Sequence, residues 1–164
     1  MDTTYRLVRA RSGGLTFEEF YRREFSHVYR AIWLSARNQD DALEATQEAF
    51  GRAYARWRNL RNQDWAAGWV ITTAHNWLRR RSRVAKTQRI PEMAVGGPTP
   101  EAIDLRQALH RLPPRQREAL VLFYVADLPV SIVADLMHIS DGTVKAHLSQ
   151  GRDSLRKLLE VKHV

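Results

Sequence analysis

"VSIVADLMHISDGTVKAHLSQGRDSLRKLL", residues 130–159, decides how the rest of the chain is read. It divides into a short helix, a tight turn and a longer helix. Ile132, Val133, Leu136 and Met137 form the buried side of the first, which is predicted from Ser131 to Met137. His138 and Ile139 make the turn, with Ile139 filling the gap between the helices. Ser140 is placed to cap the next helix, its hydroxyl accepting a free backbone N–H. There, Val144, Leu148, Gly151 and Leu155 recur at steps of four, three and four, so only a narrow apolar edge turns inward. Gly151 on that edge predicts close approach of a neighbouring helix, since glycine otherwise costs a helix about 1 kcal/mol relative to alanine. The pattern is a helix-turn-helix, whose second helix lies in the DNA major groove.

The opposite arc of this helix holds Ala146, Ser149, Gln150 and Asp153, flanked by Thr143, Lys145, His147 and Arg152. Glutamine pairs with adenine, lysine meets guanine or phosphate, and a small alanine touches a thymine methyl. An ordinary surface helix is polar because it is solvated, and taken alone this one would not decide between the two. The short preceding helix, the turn and the capped entry favour DNA. The expected contacts are Ser140, Thr143, Lys145, Ala146, His147, Ser149, Gln150 and Arg152.

Composition fits that reading. The chain has 164 residues, 44% of them hydrophobic, enough for real cores and for one domain or two small ones. It has no cysteine, which removes disulfides, thiolate zinc sites and cysteine nucleophiles together. Its N-terminus lacks the apolar core of a signal peptide, and charges interrupt every apolar run before membrane-spanning length. A soluble, intracellular, cytoplasmic protein with no membrane insertion is expected. The net charge is +8; residues 1–86 carry 16 Lys+Arg against 9 Asp+Glu, and residues 101–164 carry 9 against 8. A basic half suits a polyanion.

The first half also reads as helices. Phe17, Tyr21, Phe25, Val28 and Ile32 share one helical face, with Thr16 and Glu19 as a capping box. A second helix is predicted from Asp41 to Leu60, with Ala42, Ala49, Ala53, Trp57 and Leu60 inward, and a third from about Asp64 to Arg83. "TQRIPEMAVGGPTPEA" then has no helical period and reads as a linker. Beyond it, Pro113-Pro114 ends one helix and starts another. Period-two alternation is absent. The expected fold is all-α: a flexible basic N-terminus (1–14), a helical domain (15–86), a flexible linker (87–100) and a second small helical domain with the helix-turn-helix (101–164).

The third helix separates into two stripes. Ala67, Ile71, Ala74 and Leu78 form a predicted core edge; Trp65, Trp69, Thr72, Asn76, Arg79 and Arg83 lie about 200° away. Indoles to stack bases and arginines to pair phosphates are what single-stranded nucleic acid requires. Packing is the competing role for each tryptophan, and Trp77 is read as core. The arginine cluster Arg79, Arg80, Arg81 and Arg83 is dense for a merely solvated run.

Taken together, these segments resemble the extracytoplasmic-function group of bacterial sigma factors, minimal two-domain members of the sigma-70 family. "LPPRQREALVLFYVADLPVSIVADLMHISDGTVKAHLSQGR" looks like region 4, "DDALEATQEAFGRAYARW" like region 2.2, and "AAGWVITTAHNWLRRRSR" like regions 2.3–2.4. The resemblance implies core RNA polymerase (the β′ clamp and the β flap) and promoter DNA as partners, and leaves room for an anti-sigma factor. Asp41, Glu44, Gln47 and Glu48 would then face polymerase. Asn59, Arg61, Asn62 and Gln63, with Trp65, Trp69, Thr72, Asn76, Arg79, Arg80 and Arg83, would melt and hold the -10 element. The helix from Ser140 to Arg152 would read the -35 element. Leu43, Ala45 and Thr46 depart from the acidic and aliphatic pattern of region 2.2. Arg80 replaces a frequent acid, and His147 and Gln150 stand where arginines are common.

Two other classes compete with this one. "TVKAHLSQ" also resembles the recognition helix of LuxR-type regulators, but no α/β receiver pattern precedes it. An enzyme is not expected: the histidines are scattered, Glu24 and His27 are one isolated Glu-x-x-His pair, and no phosphate-binding glycine loop exists. No catalytic residue, metal or cofactor is assigned.

Overall fold

In the computed structural model, which describes residues 14–84 and 99–162, helix α1 (Phe17–Ser35) opens on the predicted capping box. The Thr16 hydroxyl accepts from the Glu19 N–H at 3.2 Å, and the Glu19 carboxylate accepts from the Thr16 N–H at 2.8 Å. Helix α2 (Gln39–Ala55) is capped by Asn38, whose side-chain oxygen accepts from the Asp41 N–H at 2.8 Å. Asp40 and Asp41 sit in its first turn, where the helix dipole favours them. The sequence predicts one helix through Leu60. The structure instead breaks it at Arg56 and resumes as a single turn, α3 (Trp57–Leu60). Tertiary packing accompanies the break: the Trp57 ring lies 4.7 Å from Phe20 and 5.6 Å from Phe17.

Phe50, which lies outside every predicted stripe, is the centre of this aromatic cluster. It is buried, with Tyr21 at 4.9 Å and Phe20 and Phe25 each at 5.9 Å between ring centroids. Val28 and Ile32 of the predicted α1 face are fully buried; Phe17, Tyr21 and Phe25 are half-buried around the cluster. Helix α4 (Ala66–Val84) packs on α1 and α2. Its buried edge is Ala66, Val70, Ile71 and Ala74, so the predicted edge is corrected by about one position at its start, and Ala67 and Leu78 are half-buried. A second side of α4 is buried as well, at Gly68, Thr72 and His75.

In the second half, helix α5 (Pro100–His110) is capped by Thr99. Thr99 and Pro100, expected as the last linker residues, therefore belong to the helix. The rest of the linker and residues 1–13 of the basic N-terminus lie outside the described residues. Helix α6 (Pro114–Leu120) starts at Pro114 as predicted but runs into a π-helical turn (Val121–Val125) rather than a continuous α-helix. Helices α7 (Val130–Met137) and α8 (Asp141–Lys162) follow. Among the described residues there is no strand.

The turn between α7 and α8 is a Schellman motif. His138 adopts the left-handed conformation (φ 56°), its N–H reaches the Asp135 carbonyl at 3.3 Å, and the Ile139 N–H reaches Ala134 at 3.1 Å. Ile139 is held half-buried against the core, and the Ser140 hydroxyl accepts from the Thr143 N–H at 3.1 Å. A Cβ at Gly151 would lie 2.9 Å from Leu120 Cδ1, the close approach that the sequence predicts. Gly151→Leu is expected to lose about 1–3 kcal/mol by overpacking. Gly151→Ala should change stability by less than about 1 kcal/mol, because its helix propensity offsets a small shift of Leu120. Urea unfolding of the two variants measures the difference.

The halves dock through helix ends. Helix α1 has no basic residue in its last turn. The second half supplies the cations instead: buried Arg106 donates to the Trp33 carbonyl at 2.8 Å and to Ala36 at 2.6 Å, and Arg117 donates to Ser35 at 3.2 Å. Carbonyls at a helix C-terminus lack intrahelical partners and carry partial negative charge, so arginine satisfies both needs. Arg106 also lies 4.8 Å over the Trp33 ring. A further contact is apolar: a Cβ at Gly68 would meet Leu128 Cδ1 at 2.4 Å, so a larger residue there would displace that leucine. One continuous hydrophobic cluster results, containing residues of both halves.

Candidate nucleic-acid interface

Helix α8 presents its polar arc as read from the sequence. Val144, Leu148 and Gly151 are buried against α6 and α7, while Ser140, Thr143, Lys145, Ala146, Ser149, Gln150 and Arg152 are exposed. His147 is half-buried at the flank, with its Nδ1 buried and unbonded. Two of these side chains have neighbours that the sequence did not reveal. Gln150 Oε1 accepts from Gln116 at 3.2 Å, and Arg152 donates to the Tyr124 hydroxyl at 3.0 Å. The Ser140 hydroxyl lies 2.8 Å from that of Thr143 and is occupied in capping.

The tryptophan–arginine edge of α4 is divided. Trp65 and Trp69 are half-buried, and Arg56 lies 5.9 Å over the Trp69 ring. Thr72 is a correction: at 7% exposure it is covered, and its hydroxyl has no hydrogen-bond partner. Asn76 accepts from Arg79, and Arg79 pairs with buried Glu118 of α6. In this arrangement Arg79, still partly exposed, is tied to the second half, and Asn76 is held by Arg79. Arg80 is exposed, as are Asn59, Arg61 and Asn62 in the preceding turn, with Gln63 half-buried. The Arg83 side chain lies outside the described residues. Trp77, read as core, is half-buried beneath Arg81, whose guanidinium lies 5.0 Å from its ring.

On α2, Glu44, Gln47 and Glu48 are exposed and Asp41 is half-buried. Arg81 bridges Asp41 at 2.9 Å and Glu44 at 2.7 Å, joining the acidic face of α2 to the basic end of α4. A feature missed from sequence is an apolar groove of about 740 Å³ between α5, the π-helical turn and the end of α8, lined by Leu105, Leu109, Val121, Val125, Leu155 and Leu159 among others. With Leu34 of α1, its components come from four separate segments, so no single periodicity reports it.

Arginines of "LPPRQREAL" also serve an unforeseen purpose. Arg115 donates to the Met137 carbonyl at 2.6 Å, and Arg117 to Leu109 at 3.0 Å, so each caps the end of a neighbouring helix. Between the halves, burial lowers the pKa of His75 to about 4, with Arg79 and Arg117 adding to the effect and Glu118 opposing it. His110 is likewise lowered to about 4 by burial and the charges of Arg117 and Arg106. Among the described residues no group of three or more His, Asp or Glu side chains is arranged to hold a metal ion, and no helix is long and apolar enough to cross a membrane. Glu24, considered with His27, is buried and paired with Arg23 at 2.9 Å.

A capped helix-turn-helix with a polar outer face, attached to a four-helix unit with a basic edge, defines a nucleic-acid-binding class of all-helical protein. Residues 102–155 match the family described as sigma-70, region 4. The chain is 32% identical to the sigma factor EcfG of Rhodopseudomonas palustris, across 80% of this chain and 77% of that protein. It is 30% identical to the sigma factor SigE of Mycolicibacterium smegmatis, across 90% of this chain but 63% of that protein, and so spans less than two thirds of it. SigV of Bacillus subtilis is 29% identical, across 85% and 83%. In fold it is similar to the sigma factor RpoE of Bartonella quintana, solved with the anti-sigma factor NepR, with a TM-score of 0.71 at 24% identity over 88% of this chain and 97% of that one. The chain belongs to the extracytoplasmic-function sigma factors.

Proposed function

We propose that this protein directs core RNA polymerase to promoters, acting in the cytoplasm by binding and without catalysis of its own. The observation that carries the reading is the exposed row Thr143, Lys145, Ala146, Ser149 and Gln150 on a helix whose opposite edge is buried, within the stretch matching region 4. The row faces the -35 duplex: Gln150 reads a base edge, Lys145 meets phosphate or guanine, and Ala146 allows the helix to approach closely. The exposed loop Asn59, Arg61 and Asn62, with Trp65, Trp69 and Arg80, holds the unpaired -10 strand by stacking and phosphate pairing. Thr72, Asn76 and Arg79 join it only once the second half moves aside. Glu44, Gln47 and Glu48 face the polymerase clamp, and the groove beside α8 suits an apolar helix such as the β flap would offer. The domain boundaries at 15–86 and 101–164 belong to this reading.

In vitro transcription with purified core polymerase and a promoter library tests it: selective initiation on addition of this chain is expected, and indifference of the polymerase would end the proposal. Lys145→Ala is expected to weaken duplex binding on all sequences and flatten the salt dependence by about one unit of slope. Gln150→Ala should relax preference at one -35 position, by about 1–3 kcal/mol of discrimination. Binding titrations against a -35 library at two salt concentrations separate the two effects.

A further inference from the structure

We infer that the cavity where the two halves meet is a binding site for a small phosphate-type oxyanion. The cavity has a volume of about 390 Å³ and lies beside the C-terminal end of α1. Its walls include the side chains of Arg37, Arg79, Arg81 and Arg117, two histidines, and the carboxylates of Asp41 and Glu118. Four guanidiniums stand against two carboxylates of the lining and Glu44 beside Arg81, which leaves the recess cationic. Both carboxylates are engaged: Glu118 by Arg79 and Arg115, and Asp41 by Arg81 at 2.9 Å. Arg117, by contrast, spends its hydrogen bonds on the backbone carbonyls of Leu109, Ser35 and Leu112. Those carbonyls satisfy its donors without neutralising its charge. Burial, and then the charge of nearby Arg37, lower the Arg117 pKa, as expected of cations gathered in a recess.

Three polar atoms of lining residues, each almost wholly shielded, lack protein partners. His75 is 5% exposed; its Nε2 lies 2.9 Å from the Ser35 hydroxyl, while its Nδ1 is buried and unbonded. In the tautomer whose Nε2 accepts from Ser35, Nδ1 is a donor without a protein partner. His110 Nε2 is likewise unbonded, and so is Oε1 of Glu118, itself 3% exposed. Donors and cations suit an oxyanion. The leftover Glu118 acceptor narrows the class, because a phosphate near neutral pH retains a P–OH to donate to it and a sulfate does not. The lining has no aromatic platform other than imidazole, so a compact phosphate fits better than a nucleobase. With Arg37 and Arg79 on one half and Arg117 on the other, a bound oxyanion would tie the halves together.

Calorimetry and thermal melting of the full chain test this without polymerase or promoter. Inorganic phosphate is compared with sulfate at matched ionic strength and with a DNA trinucleotide, whose phosphodiesters could enter the same recess. Saturable phosphate binding that raises Tm is expected, with sulfate at least about tenfold weaker. Arg37→Glu, at an exposed position, should weaken phosphate by a similar factor while circular dichroism stays unchanged. Glu118→Gln should erase the preference for phosphate over sulfate, even if it lowers Tm. Equal responses to phosphate and sulfate, untouched by Arg37→Glu, would reveal only general attraction of anions to a basic protein and overturn the assignment. Tighter, Arg37-dependent binding of the trinucleotide would overturn it too, by giving the cavity to the DNA backbone.

Discussion

Acidification from about pH 6.5 to about pH 4 is expected to remove about 3 kcal/mol of stability through His75 alone. Burial against the second half holds this imidazole neutral in the fold, with its pKa lowered from 6.5 to about 4. An unfolded chain binds the proton more readily, so the stabilisation is complete above pH 6.5 and drains away as pH falls through that window. His110 acts in the same direction over the same window, by less for its greater exposure. Urea midpoints at successive pH values, for the parent and for His75→Gln combined with His110→Gln, measure the slope. The parent should begin to weaken near pH 6, before ordinary carboxylates titrate. A double variant that weakens equally between pH 6 and pH 5 would show that other groups carry the effect.

Replacing Arg106 with methionine is expected to destabilise the protein by about 3 kcal/mol, since removing one partner leaves a buried and a partly buried carbonyl unsatisfied at roughly 1–3 kcal/mol each. Those carbonyls, Trp33 and Ala36, end α1, and the methionine would also forfeit the stacking of the guanidinium on Trp33. Because Arg106 belongs to the second half and its acceptors to the first, the loss falls on the joint between them. Small-angle scattering should therefore report an expanded particle along with the lowered unfolding midpoint. Arg106→Lys is expected to recover part of the loss: it retains a cation at the helix end but cannot bridge two acceptors with a planar fork. A methionine variant as stable and as compact as the parent would refute this role.

The joint bears on the proposed promoter binding. Covering Thr72, pairing Arg79 with Glu118 and holding Asn76 on Arg79 commits half of the α4 edge to internal contacts while the halves are docked. The sequence reading made the same six residues one continuous face, and for an isolated helix its geometry was sound. What it lacked was the second half, whose Leu128 seats on Gly68 and whose Glu118 reaches Arg79.

Periodicity and capping were legible because they are local. The Thr16–Glu19 box, the Pro113-Pro114 break, the Ser140 cap and the Val144–Leu148–Gly151 edge each depend on residues within a turn or two, and each is present. That was sufficient for the all-helical class, for the helix-turn-helix and for the outward row on α8. Phe50, the break at Arg56, the arginines that cap neighbouring helices and the histidines between the halves were not legible. Their partners lie up to 82 residues away in the chain, as with Arg117 and Ser35. A helix's hydrogen bonds close within four residues, so its sequence determines where it begins and which side is apolar. Which other surface covers that side, and which cation answers its terminal carbonyls, is decided only when distant segments compete for the same space.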